Sequence, residues 1–158
     1  HLYSATSWEG FLGELGKVSR SLGVRILGFS KHGHGSVKLS RRHAWRYEPE
    51  KYVSWGIKAG LKYFSGNTPG IKADIRIVGG VFVYIPQSFA VEPEDRRVKA
   101  EAKDIIDYVS TGGYSVALIH PINWFLRESV RRELDRLLSG IQEVIMFREL
   151  LSNLNIQY

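Results

Sequence analysis

At 158 residues and 18.0 kDa, with 44% hydrophobic residues, the chain is long enough for one domain with its own core, which excludes a low-hydrophobicity disordered polymer. It has no cysteine, which excludes disulfides, thiolate metal sites and a cysteine nucleophile, so any metal must be held by His, Asp or Glu. A formal charge of +6 and a pI near 9.6 favour anionic partners, yet the basic residues are spread out, with one short dense cluster at Arg41, Arg42 and Arg46, and a solvated cationic surface is the preferred reading.

Thr6, followed three residues later by Glu9, has capping-box spacing. Trp8, Phe11, Leu12, Leu15, Val18 and Leu22 then recur at helical intervals up to Gly23. Val24 to Phe29 reads as a short buried strand, so the histidine-rich stretch SKHGHGSVKLSRRHAWRY starts at a strand's C-terminal end. Pro49 suits the first turn of a second helix, and Gly60 its left-handed stop. Leu61 to Phe64 is a strand followed by the turn-rich SGNTPG, and Asp74 to Ile85 reads as two strands around Gly79 and Gly80, stopped by Pro86. Pro93 opens a helix from Glu94 to about Val109. Ser115 to Ile119 is a strand that delivers His120 and Pro121. A helix from about Glu128 to Leu138, a strand Glu143 to Phe147 and a short helix complete the chain.

The alternation of strand and helix predicts one α/β domain over residues 1–158 with a largely parallel sheet. Ligands of such folds gather where strands end at the C-terminal edge, and His32, His34 and His120 all follow strands. The longest apolar runs are too short to cross a bilayer, and residues 1–20 lack a charged start before an apolar stretch, so neither membrane anchor nor signal peptide is expected. The compartment is not indicated.

His32 and His34 flank Gly33, and their imidazoles meet on one ion only where the glycines bend the chain. With no thiolate available, the third ligand is a carboxylate or His43; the alternative is a set of exposed loop histidines. His43 lies in RRHAWRY, where Trp45 offers a face for a sugar or a base, or else the segment is a half-buried strand edge with solvated arginines. His120 is the sharpest single candidate. Pro121 keeps its backbone extended, which suits a fixed general acid or base at the sheet edge, against the plainer reading of a core histidine bonded to backbone. No phosphate-binding glycine loop and no GxSxG elbow occurs. Glu101, Asp104 and Asp107 read as a solvated helix face, and Arg127, Arg131, Arg132 and Arg136 as surface pairs with Glu128, Glu133 and Asp135.

The histidine loop, the segment RRHAWRYEPEKYVSWGIKAGLKYFSGN, the run GGVFVYIPQSF and the late ALIHP, in that order, resemble the polysaccharide deacetylase family (NodB-like, carbohydrate esterase family 4) over most of residues 24–147. The resemblance implies a distorted or incomplete β/α barrel. It also implies a divalent metal, zinc in many members, that activates water to remove an acetyl group from a sugar or polysaccharide. Under it His120 matches the general acid, His32 or His34 the histidine loop, and Arg42, His43 and Trp45 the arginine-bearing segment. His32, His34 and His43 are then the metal candidates, and Arg42, Trp45 and Trp124 the substrate contacts. Two departures stand out. The family's paired histidines are four residues apart, whereas His32 and His34 are two apart; and its paired aspartates have no counterpart in residues 1–23, so that strand is expected to precede His1 or to be lost. Two other classes remain open: a non-catalytic carbohydrate-binding relative, and a nucleic-acid module that stacks bases on Trp45 and Tyr47 beside Arg41, Arg42 and Arg46.

Overall fold

A computed structural model describes residues 6–31, 48–93 and 99–158. Six helices and five strands occur among them, and the strands form one open, mostly parallel sheet in the order β1 (Gly28–Ser30), β2 (Tyr63–Pro69), β4 (Phe82–Ala90), β3 (Arg76–Val78), with β5 (Ala117–Leu118) also paired to β4. The α/β expectation with a largely parallel sheet therefore holds.

The chain packs as two compact units. One comprises the described residues of His1–Asn67 with Ile75–Pro86 and Met146–Tyr158; the other comprises Thr68–Asp74 and Gln87–Ile145. Three of the four points at which the chain passes between them fall inside or beside strands, and the fourth, at Ile145/Met146, precedes a helix.

In the first unit, α1 (Trp8–Leu22) starts one residue later than the Thr6 spacing suggests: Ser7 is the cap, and its hydroxyl accepts the Gly10 N–H at 3.0 Å. Gly23 closes the helix at φ 64°. Only Phe11 and Leu15 of the expected stripe are buried; Leu12, Val18 and Leu22 face solvent. β1 (Gly28–Ser30) runs parallel to β2 (Tyr63–Pro69), with Gly28 opposite Tyr63. α2 (Pro49–Lys58) begins on its proline, and Gly60 follows at φ 71°. β2 extends through most of the segment read as turn-rich, lying between β1 and β4 in the sheet.

β3 (Arg76–Val78) and β4 (Phe82–Ala90) form the expected hairpin around Gly79 and Gly80. Pro86 does not stop it. Val83 N–H points to Lys62 O beside β2, whereas Phe89 N–H points to Val116 O on the side of β5. Strict alternation would send both the same way, so the register slips by one residue between them, and a residue with no N–H fits such a slip. β4 is buried along nearly its whole length.

An aromatic core fills the first unit: Phe29 stacks on Phe64 at 4.9 Å, Phe11 meets Phe29 edge-on at 5.0 Å, and Tyr52, Phe82 and Tyr84 complete it. The expected strand Glu143–Phe147 is absent. Val144 and Met146 are exposed, and Glu149 accepts the Met146 N–H at 2.6 Å, which starts α6 (Phe147–Asn153) instead. Phe147 then stacks on Tyr63 at 4.5 Å.

The second unit packs α3 (Ala102–Val109) against α5 (Glu128–Gly140) over Phe89, Val91, Ile105, Val130 and Leu137. α3 begins at Ala102, short of the expected Glu94; residues 94–98 lie outside the described residues. Two carboxylates set that start. Asp104 accepts the Glu101 N–H at 2.7 Å, and the buried Glu133 accepts the Ala102 N–H at 2.9 Å. Glu133 is thus a buried anchor as well as the expected partner of an arginine, Arg136 at 3.7 Å, and Glu101 and Asp104 cap a helix rather than simply meeting solvent. β5 shrinks to Ala117–Leu118, and a short helix that the sequence reading missed, α4 (Pro121–Leu126), follows.

Gly56 on α2 lies so close to the core that an added Cβ would sit 2.6 Å from the Phe82 ring. Gly56→Ala is therefore expected to destabilise by about 1–3 kcal/mol, although alanine is the better helix former. An unchanged urea midpoint would contradict this packing.

Candidate functional site

The second unit brings together His120, Glu92, Asn123 and Trp124. β4 ends at Ala90, and two residues later Glu92 is fully buried. Parallel pairing with β5, Phe89 to Ala117 and Ala90 to Leu118, carries both chains forward side by side, so His120 arrives beside Glu92 two residues past its own strand. Glu92 Oε1 accepts the His120 backbone N–H at 2.6 Å and contacts the imidazole Nδ1 at 3.0 Å. Asn123 Nδ2 donates to the same oxygen at 3.4 Å. Glu92 Oε2 is buried without a partner among the described residues.

In the tautomer with the proton on Nδ1 the ring donates to this carboxylate oxygen and leaves Nε2 as the ring nitrogen open for other chemistry. The His120 side chain is 45% exposed, so the ring is anchored on one edge and open on the other. This departs from the core-histidine alternative, in which backbone groups would hold a buried ring.

His120 also starts α4: its carbonyl accepts the Asn123 N–H at 2.9 Å and the Trp124 N–H at 3.3 Å, and Pro121 occupies the first helical position. Trp124 therefore lies one turn from His120, exposed, with its ring edge-on to Phe125 at 4.9 Å. His32, His34, Arg42, His43 and Trp45 lie outside the described residues. Among the described residues no group of three or more His, Asp or Glu gathers as a metal site.

Lys31 is the last described residue before the histidine loop, and it is buried. Asn67 Nδ2 donates to its carbonyl, tying β1 to β2 at this edge. Burial pushes its ammonium down to about 8, against the opposing pull of the Glu48 carboxylate. Two open clefts lie elsewhere, one per unit. In the first unit, Glu50, Ile57, Lys58, Arg76 and Tyr84 help line a cavity of about 610 Å³. The other, of about 330 Å³, lies beside Glu101 and Glu133.

No known family, curated protein or solved structure matches this chain. Among the described residues no helix is long and apolar enough to cross a membrane.

Glu92 is the residue that the sequence reading missed. Its only local signal is an acid directly after a long apolar strand and before a proline, in FAVEP.

Two measurements test this geometry. Glu92→Ala strips the acceptor from the His120 N–H and Nδ1–H, and is expected to destabilise by about 1–3 kcal/mol and to abolish any hydrogen-bonded Nδ1–H proton resonance of His120; full stability with that resonance retained would contradict the contact. Because the Lys31 pKa is lower in the folded chain than the 10.5 of its unperturbed value, the unfolded chain binds more protons above about pH 8. Its contribution to stability therefore rises with pH through that window, and Lys31→Met is expected to remove the rise in urea midpoint between about pH 8 and pH 9.5.

Proposed function

We propose that this chain is a divergent or incomplete polysaccharide-deacetylase-like barrel that removes an acetyl group from a sugar or polysaccharide. One observation carries the reading: a half-exposed histidine at the C-terminal end of a parallel strand, with its Nδ1 held by a fully buried carboxylate. That is how a general acid or base is held for use, since proton transfer needs a fixed ring with one nitrogen open.

The candidate metal ligands are His32, His34 and His43, a donor set of imidazoles in a chain without thiolates, and such a set suits zinc. When bound there, a zinc ion would lower the pKa of its water towards about 7 and polarise the acyl carbonyl. The chain's own residues do the rest. As the bond from the acyl carbon to nitrogen or oxygen breaks, His120 Nε2 passes to the leaving atom a proton that it takes from the attacking water. Glu92 holds Nδ1 and the ring orientation through that transfer. Trp124, one turn away, offers a ring face to the sugar; Arg42 and Trp45, the other candidate substrate contacts, lie outside the described residues.

Elemental analysis of the purified protein, paired with acetate release from an acetylated chito-oligosaccharide, tests the reading. About one equivalent of a divalent ion is expected, lost in the His32→Ala/His34→Ala variant. His120→Ala is expected to keep the ion and lose about 10²- to 10⁴-fold in kcat. If supplied zinc neither binds nor supports acetate release, the reading is overturned.

A further inference from the structure

α4 buries none of its residues, although four of its six are large and apolar. Ile122 is 61% exposed, Phe125 67% and Leu126 73%. A lone exposed leucine needs no explanation, but adjacent large apolar side chains on one short helix form a patch of the kind that marks an interaction surface.

Polar contacts hold this helix where its side chains do not. At its start the Glu92 carboxylate grips the His120 N–H. At its end Arg131 Nη1 donates to the carbonyls of Trp124, at 3.2 Å, and Phe125, at 2.9 Å. These are two of the last carbonyls of the helix, which have no acceptor role within it. The ridge is thus fixed at both ends and presented between them.

Charge and composition choose the occupant. From Ala117 to Arg132 the charged residues are three arginines, Arg127, Arg131 and Arg132, against one glutamate, Glu128, in a chain of formal charge +6. Arg127 directly follows the ridge and is exposed. Arg132 is held only loosely by Glu128, at 3.8 Å, with both side chains about two-thirds exposed. Aromatic and aliphatic side chains beside arginines suit a bilayer–water boundary, where the apolar groups enter the acyl region and the guanidinium groups stay at phosphate level. Trp124, amphipathic at the seam between His120 and the ridge, fits the same boundary.

We propose that α4 docks shallowly on an anionic lipid surface, with Ile122, Phe125 and Leu126 in the interface and Arg127 and Arg132 at the headgroup phosphates. Six helical residues span only about 9 Å, so the helix lies in the interface and does not cross it. This docking does not rest on the hydrolytic reading. If both hold, His120 works at headgroup height, on acylated sugars carried by lipid.

Co-sedimentation with vesicles decides it, using phosphatidylcholine alone and phosphatidylcholine mixed with phosphatidylglycerol. The wild-type chain is expected to pellet with the anionic vesicles at low salt. Phe125→Glu/Leu126→Glu is expected to bind at least tenfold more weakly, and Arg127→Glu at least about fivefold more weakly, since one basic residue near an anionic surface strengthens binding by about that factor. Because Phe125 and Leu126 are exposed, the thermal midpoint of the double variant stays near that of wild type. Failure of the wild type to bind anionic vesicles, or equal binding by the double variant, overturns the proposal. So does a dimer in solution that the double variant dissociates, since the ridge would then belong to a second copy. Acetate release from a soluble substrate stays unchanged in the double variant, so a failure of docking is distinguishable from a failure of catalysis.

Discussion

A carboxylate removed from water must be given donors by the protein, and in the second unit Glu92 is that carboxylate. Its Oε1 collects the His120 N–H, the His120 Nδ1 and the Asn123 amide, so one atom fixes a strand end, an imidazole and the first turn of a helix. The strand pairing makes this possible. Glu92 and His120 each sit two residues beyond the last paired position of a parallel ladder, and in such a ladder the two chains leave the sheet on the same side at the same height. The slip between Val83 and Phe89 matters for the same reason. Without it Phe89 would point its N–H back to β2, and β5 would lose the bond from Phe89 to Val116 that begins its alignment.

The two units answer the burial problem differently. In the first, rings meet rings: Phe29, Phe64 and Tyr84 stack in series along β1, β2 and β4, with Tyr52 and Phe11 from the helices closing over them. Such a core leaves little room for added atoms, and that is why glycine stands at Gly28, where a Cβ would meet the Tyr63 ring, and at Gly56, where it would meet Phe82. In the second unit the core is aliphatic around Phe89, and polar anchors take a larger part: Glu133 holds the start of α3, and Arg131 the end of α4.

Local chemistry was the readable part of the sequence. Gly23 and Gly60 closed helices, Pro49 opened one and Gly79-Gly80 turned a hairpin, because each acts through its own backbone. The misreadings arose where a distant partner overruled the local signal. Pro86 looked like a stop but falls at a register slip set by flanking strands. Glu143 to Phe147 looked like a strand, but Glu149 and the Tyr63 ring claimed its end for a helix. Of the site, His120 was legible from its place after an apolar run and before a proline. Glu92 was not, because its partner lies 28 residues away and is chosen by strand pairing alone.

The same pairing explains why α4 exists and why it is exposed. Six residues are too few for a helix to persist by its own hydrogen bonds in water, since nucleation costs more than so short a run returns. Apolar burial does not make up the difference, because no residue of α4 is buried. What remains is anchoring at the two ends: Glu92 holds the residue from which the helix starts, and Arg131 holds the carbonyls with which it ends. A helix kept this way leaves Ile122, Phe125 and Leu126 exposed, and their apolar character then has to be explained by what they meet outside the chain. His120 belongs to both halves of that arrangement, as the last residue before the helix and as the imidazole on the buried carboxylate, so whatever settles on the ridge settles one turn from the ring.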